Sequence, residues 1–223
     1  MFDTTSERWR RLVKVAREIV EQRPQEIMDA CRKLYEKESF QEISLKEISA
    51  QTSISRPSIY NYFETKEEIF LAILEEEYNQ WADEIGQIAQ RDDLTDSLFA
   101  ELFATSLGRH ETMLKIQCMN LYEIEENSRI ERLVSFKKAY RRAFDLAGEC
   151  YRKLRPGVGE DETRTFCFTL FPFLYGVYPY VHPTDKQLKA MEVVGIQPTA
   201  MDAVALTRCL IEALLDDGHD KRE

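Results

Sequence analysis

The 223-residue sequence has no uninterrupted apolar run approaching the roughly 20 residues of a membrane-spanning helix. Its start, MFDTTSERWRRL, lacks the apolar segment of a signal peptide. Both absences point to a cytoplasmic protein with no membrane partner. Cysteines are few and unpatterned: Cys31, Cys118, Cys150, Cys167 and Cys209 are odd in number and contain no CxxC pair. That excludes a disulfide framework or a zinc site and predicts buried thiols. The histidines, His110, His182 and His219, show no metal-ligand spacing, so no metal or other cofactor is expected. Repeats, low-complexity tracts and β-like alternation are missing too. No GxSxG, P-loop, HExxH or paired-carboxylate signature occurs, and a proline-broken segment without an orienting acid separates Cys167 from His182. An enzyme is therefore the weaker class.

What remains is an ordinary globular composition, 43% hydrophobic, enough to build a core in one large or two modest domains. The net charge of −10 argues against a nucleic-acid partner until its distribution is read. Residues 1–66 carry twelve Lys or Arg against eleven Asp or Glu; residues 67–223 carry eighteen against twenty-nine. A near-neutral first part with basic groups on one face can meet DNA while the acidic remainder stays off the duplex. Such binding is salt-sensitive.

The chain is organised around Ser44 to Lys66. Ser44 with Glu47 forms a capping box that starts a helix. Leu45 and Ile48 take one side of it; Lys46, Glu47, Ser49 and Gln51 lie around the other. Thr52 and Ser53, poor helix formers, end it. Ser55 can cap a second helix with Arg56 and Pro57 in its first turn. Ile59 and Phe63 point inward, leaving Arg56, Ser58, Tyr60, Asn61 and Tyr62 on the other faces. A helix of about two turns is not stable alone and must lean on neighbours. Thr65 with Glu68 repeats the capping pattern, and Lys66 in the next first turn opposes the helix dipole unless an anion arrives there. Two helices joined by a tight turn, the second rich in outward donors, read as a helix-turn-helix for the major groove. Arg suits guanine, Asn suits adenine, and Ser and Tyr hydroxyls suit phosphate oxygens. The competing reading is three small packed helices in an all-α protein.

Ile27 to Leu74 resembles the DNA-binding domain of the TetR family of bacterial repressors. Carrying the resemblance are Ile27, Ala30, Leu34 and Tyr35; Phe40, Ser44, Ile48 and Ser49; Ile54 and Ser55; then Pro57 to Phe63 and Lys66, within the phrase SIYNYFETKEEIF. It implies that Arg56, Pro57, Ser58, Asn61 and Tyr62 face base edges while Ser44, Ser55, Tyr60 and Lys66 hold phosphates of a palindromic double-stranded operator; exposed Lys46 joins this DNA-facing set. One departure is Ser53, where the family usually has Gly; a positive φ there would strain Ser.

Ahead of this region, residues 4–22 predict an amphipathic basic helix, with Trp9, Leu12, Val13, Ala16, Ile19 and Val20 on one stripe and Arg8, Arg10, Arg11, Lys14 and Arg17 around it. The stripe could pack onto the body or the arginines could reach DNA, and the two are compatible. Behind it, helices are predicted over Thr65–Gln90, Leu94–Arg109, Met113–Glu125, Arg129–Leu154, Glu160–Tyr180, Asp185–Val193 and Thr199–Asp216. The expected fold is all-α: a helix-turn-helix domain at 1–66 joined by a long helix to a helical ligand-binding and dimerisation domain at 67–223. Apolar residues cover more than one face of the last two long helices, which predicts a homodimer through Thr165–Val177 and Thr199–Leu215, as the resemblance also implies. Middle-helix rings and tyrosine hydroxyls admit a small hydrophobic or aromatic effector at Phe103, Met119, Tyr122, Phe136, Tyr140, Phe168, Pro172 and Tyr175. The same rings serve equally as plain core in a DNA-binding protein that answers to a protein partner or to none.

Overall fold

The structure is a computed structural model and describes residues 22–220, the side chains of Met119 and of residues 217–220 excepted. Most of the predicted basic extension thus lies outside the described residues. Ten helices and no strand occur among them. α1 covers residues 22–35 of the described chain, Pro24 among them. Then come α2 (Leu45–Ala50), α3 (Arg56–Ile59), α4 (Lys66–Ala89), α5 (Asp96–Gly108), α6 (Glu111–Glu126), α7 (Ile130–Leu154), α8 (Glu160–Val181), α9 (Asp185–Val194) and α10 (Ala203–Asp220).

α4 is the spine. The Thr65 hydroxyl accepts from the Glu68 N–H at 3.2 Å, and Glu67 and Glu68 oppose the positive end of the dipole. Its 24 residues reach about 36 Å. Ile69, Phe70, Ile73, Leu74, Tyr78, Trp81 and Ile85 are fully buried along it. α7 packs lengthwise on α4, and Ala139, Ala143 and Ala147 at four-residue spacing let the two axes approach. Rings fill the space between these helices and α5, α6 and α8: Trp81 meets Phe103 edge-on at 5.3 Å and Phe171 at 5.7 Å, while Tyr78 meets Phe136 at 5.6 Å. The polar groups of Trp81, Tyr78 and Gln117 in this core are paired. Trp81 donates to Ser106 at 3.1 Å, Tyr78 donates to Gln117 at 2.8 Å, and Gln117 donates to the Leu174 carbonyl at 3.1 Å. Arg155 closes the far end, forking onto Asp96 and donating to the Leu215 carbonyl at 2.9 Å, which ties α7 to α5 and α10.

Two expectations change here. The segment from Arg56 to Phe63 is one α-helical turn followed by tighter turns, with Tyr62 N–H on the Ile59 carbonyl at 2.9 Å, rather than two full turns. Of the thiols, Cys31, Cys150 and Cys167 are buried and burial pushes each up to about 12, but Cys118 is half-buried and Cys209 exposed. α8 runs as one helix through Pro172 and Pro179.

Candidate nucleic-acid interface

Ile27, Ala30, Cys31 and Tyr35 of α1, Phe40 and Ile43 of the loop, Leu45 and Ile48 of α2, Ile54, Ile59 and Phe63 are buried together with Phe70. This small core fixes which way α2 and α3 face. With Ile59 and Phe63 inward, Ser55, Arg56, Pro57, Tyr60 and Asn61 are exposed, Ser58 and Tyr62 half-buried, and Lys46 on α2 exposed beside them. Neither Arg56 nor the Lys46 ammonium has a hydrogen-bond or ion-pair partner among the described residues. The arrangement is an outward polar face on a buried apolar wedge.

The turn between α2 and α3 has no left-handed residue: no described residue other than glycine has positive φ, so Ser53 carries no such strain. Glu26 of α1 holds it instead, accepting from the Ser53 N–H at 2.5 Å and the Ser53 hydroxyl at 3.1 Å. The turn is thus tied to a carboxylate 27 positions away in the chain.

Several polar side chains are placed differently from expectation. The Ser44 hydroxyl accepts from the Lys46 N–H at 3.2 Å and donates to Glu47, so the carboxylate reaches the cap's hydroxyl rather than its N–H. Ser55 makes no side-chain cap; its hydroxyl pairs with that of Ser58 at 2.9 Å. The Lys66 ammonium is engaged within the chain, donating to the Phe40 carbonyl at 2.6 Å and lying 4.1 Å from the Phe40 ring centroid. That contact accounts for a cation at a helix start without a phosphate.

The body grips the helix-turn-helix region at four points that spacing did not reveal. Glu68 is fully buried and accepts from Arg129 Nε at 2.5 Å, Arg129 Nη2 at 2.8 Å and the Glu64 N–H at 2.8 Å. Burial pushes this carboxyl up, but the guanidinium and the backbone donors outweigh it and hold it below the usual range. Arg132 of α7 donates to the Tyr62 carbonyl at 2.9 Å and lies 5.0 Å from the Phe63 ring centroid. Lys115 of α6 donates to the Tyr35 carbonyl at 2.6 Å, and the Thr65 hydroxyl donates to the Asn127 carbonyl at 3.2 Å.

The candidate ligand residues do not line one chamber. Phe103 and Phe136 are fully buried in the ring-filled core, Tyr140 is half-buried against Phe171, and Tyr122, Phe168 and Pro172 face solvent. Tyr175 alone of the set joins Tyr122 at an open cleft between α6 and α8. The Met119 side chain lies outside the described residues. The described residues contain no cluster suited to a metal ion, and no described helix is long and apolar enough to cross a membrane.

Comparison with known proteins agrees with this geometry. A family model described as "Bacterial regulatory proteins, tetR family" matches residues 27–73, and one described as "Tetracyclin repressor-like, C-terminal domain" matches residues 75–216. The chain is 25% identical over 153 residues to an uncharacterized HTH-type transcriptional regulator, YfiR, of Bacillus subtilis, across 67% of this chain and 72% of that protein. Its fold is similar to a TetR/AcrR regulator from Thermobifida fusca (TM-score 0.59, 16% identity, 87% of this chain and 97% of that one). It is similar also to the regulator FadR from Bacillus subtilis in complex with stearoyl-CoA (TM-score 0.56, 14% identity, 86% and 97%). The chain belongs to the TetR family of bacterial transcriptional regulators.

Proposed function

We propose that this cytoplasmic regulator is a repressor that holds a palindromic operator as a homodimer and leaves it when a small hydrophobic or aromatic ligand binds. Residues 1–66 read DNA and residues 67–223 sense and pair. The observation that carries the reading is the exposed face of Arg56, Pro57, Tyr60 and Asn61, backed by buried Ile59 and Phe63, with the Arg56 guanidinium unpaired among the described residues. Arg56 and Asn61 supply bidentate groups for base edges, and the Ser55, Ser58 and Tyr60 hydroxyls suit phosphates. Two readers about 34 Å apart would meet successive major grooves. Pairing is supported by an outward stripe on α8, Thr165, Phe168, Thr169 and Pro172, with Phe168 57% exposed, and by exposed Cys209 and Ala213 on α10.

Release by a ligand is supported by the grips of Lys115, Arg129 and Arg132 on the reader, through which a shift of α6 or α7 would reorient it. A near-complete switch needs about 5.5 kcal/mol of differential affinity. An acyl-CoA, as held by the Bacillus subtilis FadR, is one candidate. A second reading, control by a protein partner or none, is favoured by the filled ring core around Phe103 and Phe136.

Selection of bound fragments from genomic DNA tests the first half: recovery of an enriched inverted repeat is expected, and recovery of no preferred sequence at low salt refutes it. Thermal shift against a metabolite and drug panel tests the second, because stabilisation follows occupancy. Silence across the panel favours the effector-free reading.

A further inference from the structure

This inference rests on the reading of the protein as a DNA-binding regulator and assigns a partner to the chain ahead of α1. Residues 22–66 hold seven Lys or Arg and seven Asp or Glu, so this part of the reader carries no net charge. Two of the seven cations are engaged inside the protein: Lys66 on the Phe40 carbonyl, and Arg32 on Asp29 at 3.2 Å and Glu76 at 3.0 Å. Lys33 and Lys37 flank Tyr35, whose carbonyl is held by Lys115 of the body. Near the reading face that leaves Arg56, Lys46 and the half-buried Arg23. Affinity for a duplex comes largely from cations set against phosphates, and these are few. Residues 8–17 hold five more, Arg8, Arg10, Arg11, Lys14 and Arg17, and no carboxylate.

The fold decides where that segment is delivered. Glu26, near the start of α1, accepts from the Ser53 N–H at 2.5 Å and the Ser53 hydroxyl at 3.1 Å, which holds that end of the helix against the turn just ahead of Ser55 and α3. The other end of α1 belongs to the body: Arg32 reaches Glu76 of α4, and Tyr35 receives Lys115 of α6. Residues 22 and 35 are kept about 20 Å apart by the helix between them. The chain ahead of residue 22 therefore joins the molecule beside the reading face. Arg17 lies five positions ahead of residue 22 and Arg8 fourteen. Even at a helical rise of about 1.5 Å they extend about 7 to 21 Å from that point, the length of about two to six base pairs. We propose that Arg8, Arg10, Arg11, Lys14 and Arg17 bind the phosphates of the duplex flanking the site that α3 reads, a second contact that adds affinity without reading sequence. The competing seat, with the stripe of Trp9, Leu12 and Ile19 packed on the body, requires the chain to double back along α1.

The test compares the full chain with a quintuple variant, Arg8→Gln, Arg10→Gln, Arg11→Gln, Lys14→Gln and Arg17→Gln, which keeps the apolar stripe. A control carries Lys186→Gln and Lys189→Gln on exposed α9. Anisotropy is followed across salt concentrations on the duplex selected from genomic DNA, with and without about six flanking base pairs on each side, and on a scrambled duplex. The quintuple variant is expected to lose about tenfold or more in affinity at about 0.15 M salt, alike on selected and scrambled duplexes. Its plot of log affinity against log salt should flatten by at least about 2, since each phosphate contact contributes about 0.9. Its preference among single-base operator variants stays that of the wild type. Removing the flanks should weaken the wild type and leave the variant unaffected, and the control keeps the wild-type slope. An unchanged slope in the quintuple variant, or an equal loss per charge in the control, overturns the proposal. So does a variant whose urea midpoint falls while its slope stays, which seats the segment on the body instead. If neither wild type nor variant holds any duplex at low salt, the regulator reading falls as well; if both hold the operator equally, this contact alone does.

Discussion

α3 and α4 follow one another in the chain and could hardly be built more differently. α4 has 24 residues, a threonine cap, acidic residues at its start and a buried stripe along its length, and it would be recognisable in almost any context. α3 has four, no side-chain cap, one buried residue and an outer face whose arginine has no partner among the described residues. The long helix takes its stability from its own pattern and the ring core. The short one borrows stability, from Glu26 under its turn and from Arg132 on the Tyr62 carbonyl just beyond it. A reader that is rigid only because neighbours hold it can be released by moving those neighbours. That is a physical reason to expect regulation at the α6–α7 corner rather than in the reader itself.

The largest effect should come from the body. Trp81→Ala removes a fully buried ring and the hydrogen bond that Ser106 accepts from it, and should cost about 3–5 kcal/mol in urea unfolding. A loss below 1 kcal/mol would put the source of stability elsewhere. Next is the corner: Glu68→Gln should cost about 2–3 kcal/mol, less than a fully buried pair because Arg129 is 43% exposed. Its pH signature has a definite sign. The folded Glu68 carboxyl titrates below its unfolded value of about 4.3, so its contribution is complete above that pH and disappears as pH falls through the lower folded value. Wild-type stability should therefore decline more steeply from pH 5 to about pH 3 than that of Glu68→Gln, as denaturant midpoints across that range would show.

Smaller effects divide the face of the reader. Arg56→Ala should lose about 1–3 kcal/mol of binding mainly at one base position, read by anisotropy over single-base operator variants. A uniform loss across all positions would reassign it to the backbone. Lys46→Ala and Lys66→Ala then form a matched pair. The first should lower the salt slope of binding by about 1 and leave stability within about 0.5 kcal/mol. The second should cost about 1 kcal/mol of stability, through its lost carbonyl and ring contacts, with the salt slope unchanged. Reversed results would mean that Lys66 leaves Phe40 to meet phosphate.

What the sequence determined by itself was everything set by short-range periodicity and composition: the all-helical class, the placement of the long helices, and the exposure of Ser55, Arg56, Pro57, Tyr60 and Asn61 around buried Ile59 and Phe63. These follow from 3.6-residue repeats and local caps, which act over a few positions. Side-chain allegiance was decided only by the tertiary structure. Glu26 lies 27 positions from Ser53 and Arg129 lies 61 from Glu68, and Lys66, which looked like an anion ligand at a helix start, found a nearer carbonyl and ring. The same holds for the scattered ligand candidates, since a ring at helical spacing looks alike whether it fills a core, as Phe136 does, or faces water, as Phe168 does. Long polar side chains and aromatic rings choose among partners by distance in space, and that distance exists only once the helices have packed.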